Sequence, residues 1–166
     1  MTSVPERYAR AVHSSNLRGS DVRLVDVDVL TAAGWAGQQA PLAAVLHRAM
    51  ASPTSTAATR SARGVMRTHA LRRANATRYP YDAAVRAADA VLTWLLHPQC
   101  PRCHGVRFEP VPTAARLSAV ACPACCGTGK AHAPYAGDPF AEALHAGVEL
   151  KMEVFERHVA RRIRYS

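Results

Sequence analysis

Lysine is nearly missing from this chain: Lys130 and Lys151 are the only two in 166 residues, although Lys and Arg together number 21 and the formal net charge is +9. The positive charge is therefore almost all guanidinium, which is planar, permanently ionised and shaped for bidentate contact with phosphate. Acid is missing from a long stretch as well. Between Val29 and Tyr81 there is no Asp or Glu, while Arg48, Arg60, Arg63, Arg67, Arg72, Arg73 and Arg78 all fall there. A helical surface that only has to be soluble intersperses the two signs, so a block of one sign on a helix reads as a phosphate-facing surface. No apolar run approaches the roughly 20 residues that cross a bilayer, which excludes a membrane-spanning helix; so basic a chain is expected to bind polyanions, nucleic acid before an anionic membrane surface, and no membrane partner is expected. The eight histidines are scattered, and the chain lacks His-Glu-x-x-His, a glycine-rich phosphate loop and Gly-x-Ser-x-Gly. We therefore expect no catalytic set, no enzyme activity and no small-molecule substrate.

What the chain does have is five cysteines, four of them in two pairs. Cys100-Pro-Arg-Cys103-His-Gly and Cys122-Pro-Ala-Cys125-Cys-Gly-Thr-Gly stand 18 residues apart. In each pair two thiolates lie on a tight turn, and a glycine two residues later can take positive φ and let backbone N–H groups point at sulfur. Two such knuckles supply the four sulfurs of one tetrahedral Zn²⁺ site, as in a zinc finger or ribbon. Three other uses of the cysteines are weaker. A disulfide framework suits a small secreted domain, whereas Met-Thr-Ser-Val-Pro-Glu-Arg has no apolar leader core, so we expect a reducing compartment. A redox dithiol needs only one pair, and simple packing needs no pairing at all. Cys126, directly after a ligand, reads as a free thiol, and His104 holds the equivalent place in the first knuckle. Four protein ligands close the site to water and substrate, so the ion is expected to be structural. Zinc here replaces a core that so short a segment could not build, and Val106, Phe108 and Val111 suggest a short β-hairpin between the knuckles.

The rest of the chain reads as helices. Pro5, Ser14, Ser15 and Gly19 interrupt the first 20 residues, which suggests a flexible arm over 1–20. Val22 to Val29 alternates as an extended segment would, and Asp28 is placed to cap a short helix from Val29 to Ala36, punctuated by Gly34 and Gly37. Pro41 opens a helix to Ala51, Ser52-Pro53-Thr54-Ser55 stops it, and a longer helix over 56–75 puts Ala62, Val65, Met66, His69 and Ala70 inward. That pair is compatible with a helix-turn-helix. Asp82 is placed to cap a helix ending at His97, with Trp94 expected in the core or an interface. Asp138-Pro139 starts a last amphipathic helix whose stripe is Phe140, Leu144, Val148, Met152, Phe155, Val159 and Ile163, long enough to need a partner or the body to lie on. The expectation is a mainly α protein: an arm over 1–20, a helical DNA-binding body over 21–98, a zinc module over 99–133 and a C-terminal helix over 134–166.

The order of these features resembles the phage late-gene antitermination protein Q family of the lambda type. The likeness rests on the two knuckles, which match that family's Cys-x-x-Cys-x-Gly-x-Gly, and on Asp28-Val-Leu-Thr-Ala-Ala-Gly-Trp-Ala-Gly-Gln-Gln-Ala-Pro, which resembles a small-residue segment near the start of its folded part. Arg107 stands where the second glycine of the first knuckle is expected. The resemblance implies a host bacterial cytoplasm, double-stranded DNA near the late promoter, and RNA polymerase holoenzyme with its sigma factor, which is converted to read through terminators. From charge alone, Arg60, Arg63, Arg67, Arg72, Arg73 and Arg78 are the candidate DNA contacts. Rival readings are a zinc-containing RNA- or ribosome-binding protein, a subunit with a structural ribbon, or a chaperone-like zinc-knuckle module.

Overall fold

Alanine dominates the inward stripes, and its small side chain lets helices lie close together around few large anchors. In the computed structural model, which describes residues 24–110 and 117–164 together with Ala11, these stripes form five helices. They are α1 (Leu24–Gln39), α2 (Pro41–Ala51), α3 (Thr56–Thr77), α4 (Tyr81–Leu96) and α5 (Pro139–Arg164), with strands β1 (Phe108–Pro110) and β2 (Leu117–Ala121) between α4 and α5. The chain is thus mainly helical, with a two-stranded antiparallel sheet beside four clustered cysteines and a long helix at the end. Of the arm expected over 1–20, all but Ala11 lies outside the described residues; Ala11 is buried against α1 and α5 residues.

The first helix differs from its sequence reading. Leu24 to Val29 is helical and not extended, so Asp28 lies inside α1 and caps nothing at Val29. Gly34 and Gly37 do not stop the helix either. A Cβ on Gly37 would come within 3.1 Å of the Ala44 Cβ, so this glycine permits α1 and α2 to approach closely. Elsewhere the breaks fall near their signals. Pro41 stands at the start of α2, and Ser55 accepts a hydrogen bond from the Ala58 N–H to cap α3. The helix α3 runs past Asn75 to Thr77 and ends on Arg78 in the left-handed conformation (φ 56°), a place glycine usually fills. Asp82 lies within the first turn of α4 and does not cap it, because Pro80 occupies the N-cap position. Asp138 does cap: its Oδ1 accepts from the N–H groups of Phe140 (2.9 Å) and Ala141 (3.2 Å), while Glu142 reaches back to the Gly137 N–H.

Two apolar clusters hold the body together. One joins Leu46, Met66, Val91, Leu92, Phe140, Leu144 and Val148 with alanines of α2 to α5, and Tyr79 stacks on Phe140 at 4.1 Å. The other joins Val29 and the alanines of α1 to Phe155 and Val159. The last helix therefore lies on the body over most of its length, packing against α1, α2 and α4. His47 of α2 is buried in this second region, stacked on Phe155 with Nε2 3.5 Å from a Glu156 carboxylate oxygen. Burial pushes its imidazole down to about 4 and pushes the Glu156 carboxyl up, so both groups favour neutrality.

Candidate metal centre and basic helix face

The module between α4 and α5 is an excursion whose ends meet. Gln99 pairs with Lys130 in an antiparallel bridge, and the Ala131 N–H donates to the Pro98 carbonyl. Trp94 at the end of α4 ties this base to the body by donating from Nε1 to the Ala131 carbonyl at 3.1 Å, and its ring meets Tyr135 and His145 edge to face. It is a structural tryptophan, as its place on the apolar side of α4 suggested.

Within the module the two knuckles repeat each other residue by residue. His104 and Cys126 take φ 48° and 50°, Gly105 and Gly127 take 86° and 75°, and Arg107 and Gly129 both take 76°. The departure at Arg107 is therefore one of side chain only: an arginine has been forced into the conformation glycine holds in the partner knuckle, at a cost of order 1–3 kcal/mol. The knuckles also brace each other reciprocally. The Cys100 N–H donates to the Gly129 carbonyl at 2.9 Å, and the Cys122 N–H donates to the Arg107 carbonyl at 2.8 Å. A Cβ on Gly129 would stand 2.7 Å from the Gly105 carbonyl oxygen, so the backbones cross where no side chain fits. The hairpin then closes over them, with Phe108 opposite Ala121 and Pro110 opposite Leu117. Val111, expected in this arm, lies outside the described residues.

The sulfurs of Cys100, Cys103, Cys122 and Cys125 all lie within 4.8 Å of one another, and all four residues are buried and free of disulfides. Cys103 and Cys125 are 3.7 Å apart. Tetrahedral coordination with metal–sulfur bonds of about 2.3 Å requires sulfurs about 3.8 Å apart, so the residues fit a four-thiolate ion site. The Gly129 N–H donates to the Cys125 Sγ at 3.2 Å. Burial opposes ionisation at Cys125, but this hydrogen bond and the neighbouring thiols outweigh it and bring the group down to about 6. Burial prevails at Cys122, which is pushed up to about 11. Thiols this close together can all ionise only with a cation among them to offset their charges. Cys126 is exposed and outside the cluster, with its Sγ directed at the Pro123 carbonyl. These four cysteines can hold a metal ion.

The six candidate arginines do not form one set. Arg67 makes a two-pronged pair with Asp89 of α4, and Arg63 stands 3.8 Å from the same carboxylate. Asp89 so offsets one of the two charges on this flank of α3, a pairing across 22 residues that no local signal announces. Arg73 lies on the other flank, toward α5, where it joins Lys151 and Arg72 in adding to the effect of burial that lowers the His69 imidazole. Arg78 terminates the helix. Arg60 and Arg72 remain on the outermost ridge, opposite the buried seam of Ala62, Met66, Ala70 and Ala74, and between them at intervals of four stand Gly64 and Thr68. All four are exposed, and a Cβ on Gly64 would touch nothing. The ridge thus carries a guanidinium at each end and low relief between, a face that a phosphate backbone could approach closely. The four-residue spacing of Arg60, Gly64, Thr68 and Arg72 was readable in the sequence.

Comparison with protein-family models, with curated proteins and with solved structures gives no match for this chain.

Proposed function

We propose that this protein is a zinc-containing transcription antitermination factor of the phage type, which binds duplex DNA near a late promoter and alters RNA polymerase holoenzyme, with its sigma factor, to read through terminators in the bacterial cytoplasm. The observation that carries the DNA-binding part is the exposed α3 ridge from Arg60 to Arg72, flanked by Arg63, Arg67 and Arg73 and free of acid on α3 itself. Phosphate contacts from its ends would set position, and Thr68 with the neighbouring side chains would meet base edges. The antitermination part is supported by the paired Cys-x-x-Cys-x-Gly knuckles and their place between a helical body and a long last helix. A single Zn²⁺ on Cys100, Cys103, Cys122 and Cys125 would organise the module without entering any chemistry, because four thiolates fill its coordination.

Binding to late-promoter duplex, random duplex and RNA across a salt series tests the first part. Tighter binding to promoter duplex with a steep salt slope is expected, and equal binding to all three polymers would replace this reading with a non-specific or RNA-binding one. Transcription through a terminator with purified polymerase tests the second part. Increased readthrough is expected, and unchanged termination would reject it.

A further inference from the structure

A second basic surface lies away from α3, where α1 packs on α5. An open pocket of about 360 Å³ is lined there by Trp35, Ala36 and Gln39 of α1 and by His158, Arg161 and Arg162 of α5. Its size falls in the range of roughly 300–1,000 Å³ usual for small-ligand clefts. Trp35 is 55% exposed, an unusual place for the largest apolar side chain in a protein whose other tryptophan is tied into the fold. The Arg162 guanidinium lies over its ring, 5.3 Å from the centroid. Arg161 is exposed beside it, and among the described residues no carboxylate lines the pocket. The Nδ1 of His158 is buried with no hydrogen-bond partner among the described residues.

An exposed indole, an exposed guanidinium, a primary amide and an imidazole in one pocket, with no carboxylate among its described lining residues, are the parts that recognise a base joined to a phosphate. We infer that this pocket binds one nucleotide unit, supplied by a single-stranded nucleic acid or by a free nucleotide. The base stacks on the exposed ring of Trp35, and the exposed guanidinium of Arg161 takes the phosphate. Gln39 is positioned to hydrogen-bond a base edge. A base can lie on a protein ring only after leaving the stack of an intact duplex, so this site and the α3 ridge differ in ligand as well as in position. The inference does not depend on what α3 binds.

The experiment uses the full zinc-loaded chain. In a Trp94→Phe variant Trp35 is the only tryptophan, and its fluorescence is titrated with AMP, with an eight-nucleotide oligoadenylate and with a blunt duplex. Quenching by the oligonucleotide alone assigns the strand as source, quenching by AMP as well assigns the nucleotide, and quenching by neither overturns the inference. In the otherwise unaltered chain, Trp35→Ala is expected to weaken labelled oligonucleotide binding about tenfold and leave duplex binding unchanged. Arg161→Gln is expected to lower the salt slope for the oligonucleotide by about 0.7. Unchanged oligonucleotide affinity in Trp35→Ala, or an equal loss for duplex and strand, would overturn it.

Discussion

The helical body and the cysteine module fold by opposite means. In the body, burial is spread over many alanines and a few large anchors such as Leu144, Met66 and Phe155, each fully or almost fully enclosed. In the module the buried cluster consists of four cysteines and nothing else among the described residues, while Val106, Phe108 and Val120 are exposed. The body can thus draw on the hydrophobic effect, and the module has instead a reciprocal pair of backbone hydrogen bonds and four sulfurs that can hold a metal ion. The contrast shows why the chain tolerates a segment with no apolar interior: Gln99 and Lys130 close it at the base, so its folding need not disturb α4 or α5.

The largest expected effect is on the module alone. Removing the ion with a chelator, or Cys103→Ala, withdraws a binding free energy of the order of 10–16 kcal/mol and should erase the β1–β2 pairing while most far-UV helical signal survives. Global loss of helix on chelation would show that the two regions are one folding unit. Next comes the body. Leu144→Ala should cost about 2–5 kcal/mol in urea unfolding and leave the metal content of the parent unchanged, and loss of metal in this variant would again merge the regions.

Acid should also separate them. His47 is neutral in the folded body down to about pH 4, whereas the unfolded chain takes up that proton near pH 6.5. The unfolded state therefore binds more protons across this window, and stability falls as pH is lowered through it by up to about 3 kcal/mol. Glu156, whose carboxyl is pushed up, works the other way and reduces the net loss. Urea midpoints of the parent and His47→Gln at pH 7 and pH 4.5 measure the difference, and an equal acid loss in both proteins would contradict it. The smallest effect distinguishes the two knuckles. Arg107→Gly relieves a left-handed arginine and should tighten metal retention by about 1 kcal/mol in a chelator competition, and weakened retention would show that the arginine side chain itself braces the module.

Much of this architecture is legible in the residues, for identifiable reasons. The knuckle ligands could be read because coordination fixes both residue type and spacing. Asp138-Pro139 and the stripe from Phe140 to Val159 could be read because a cap and a period are local. The start of α1 was missed because the alternation from Val22 to Val29 mimics a strand, and Gly34 and Gly37 mimic a stop that tertiary packing overrides. The division of the arginines was not legible, since Asp89 meets Arg67 only once α3 and α4 are packed. Nor was the pocket at Trp35, whose two walls are separated by more than a hundred residues of chain.

The most direct test of the account is the salt dependence of duplex binding by the parent and by Arg60→Gln with Arg72→Gln. Removing these two guanidiniums of the outer ridge should lower the slope of log K against log salt by about 1.8 and weaken binding, with the far-UV spectrum and metal content unchanged. An unchanged slope in that folded, zinc-loaded variant would contradict the claim that the outer ridge of α3 is the duplex-binding face.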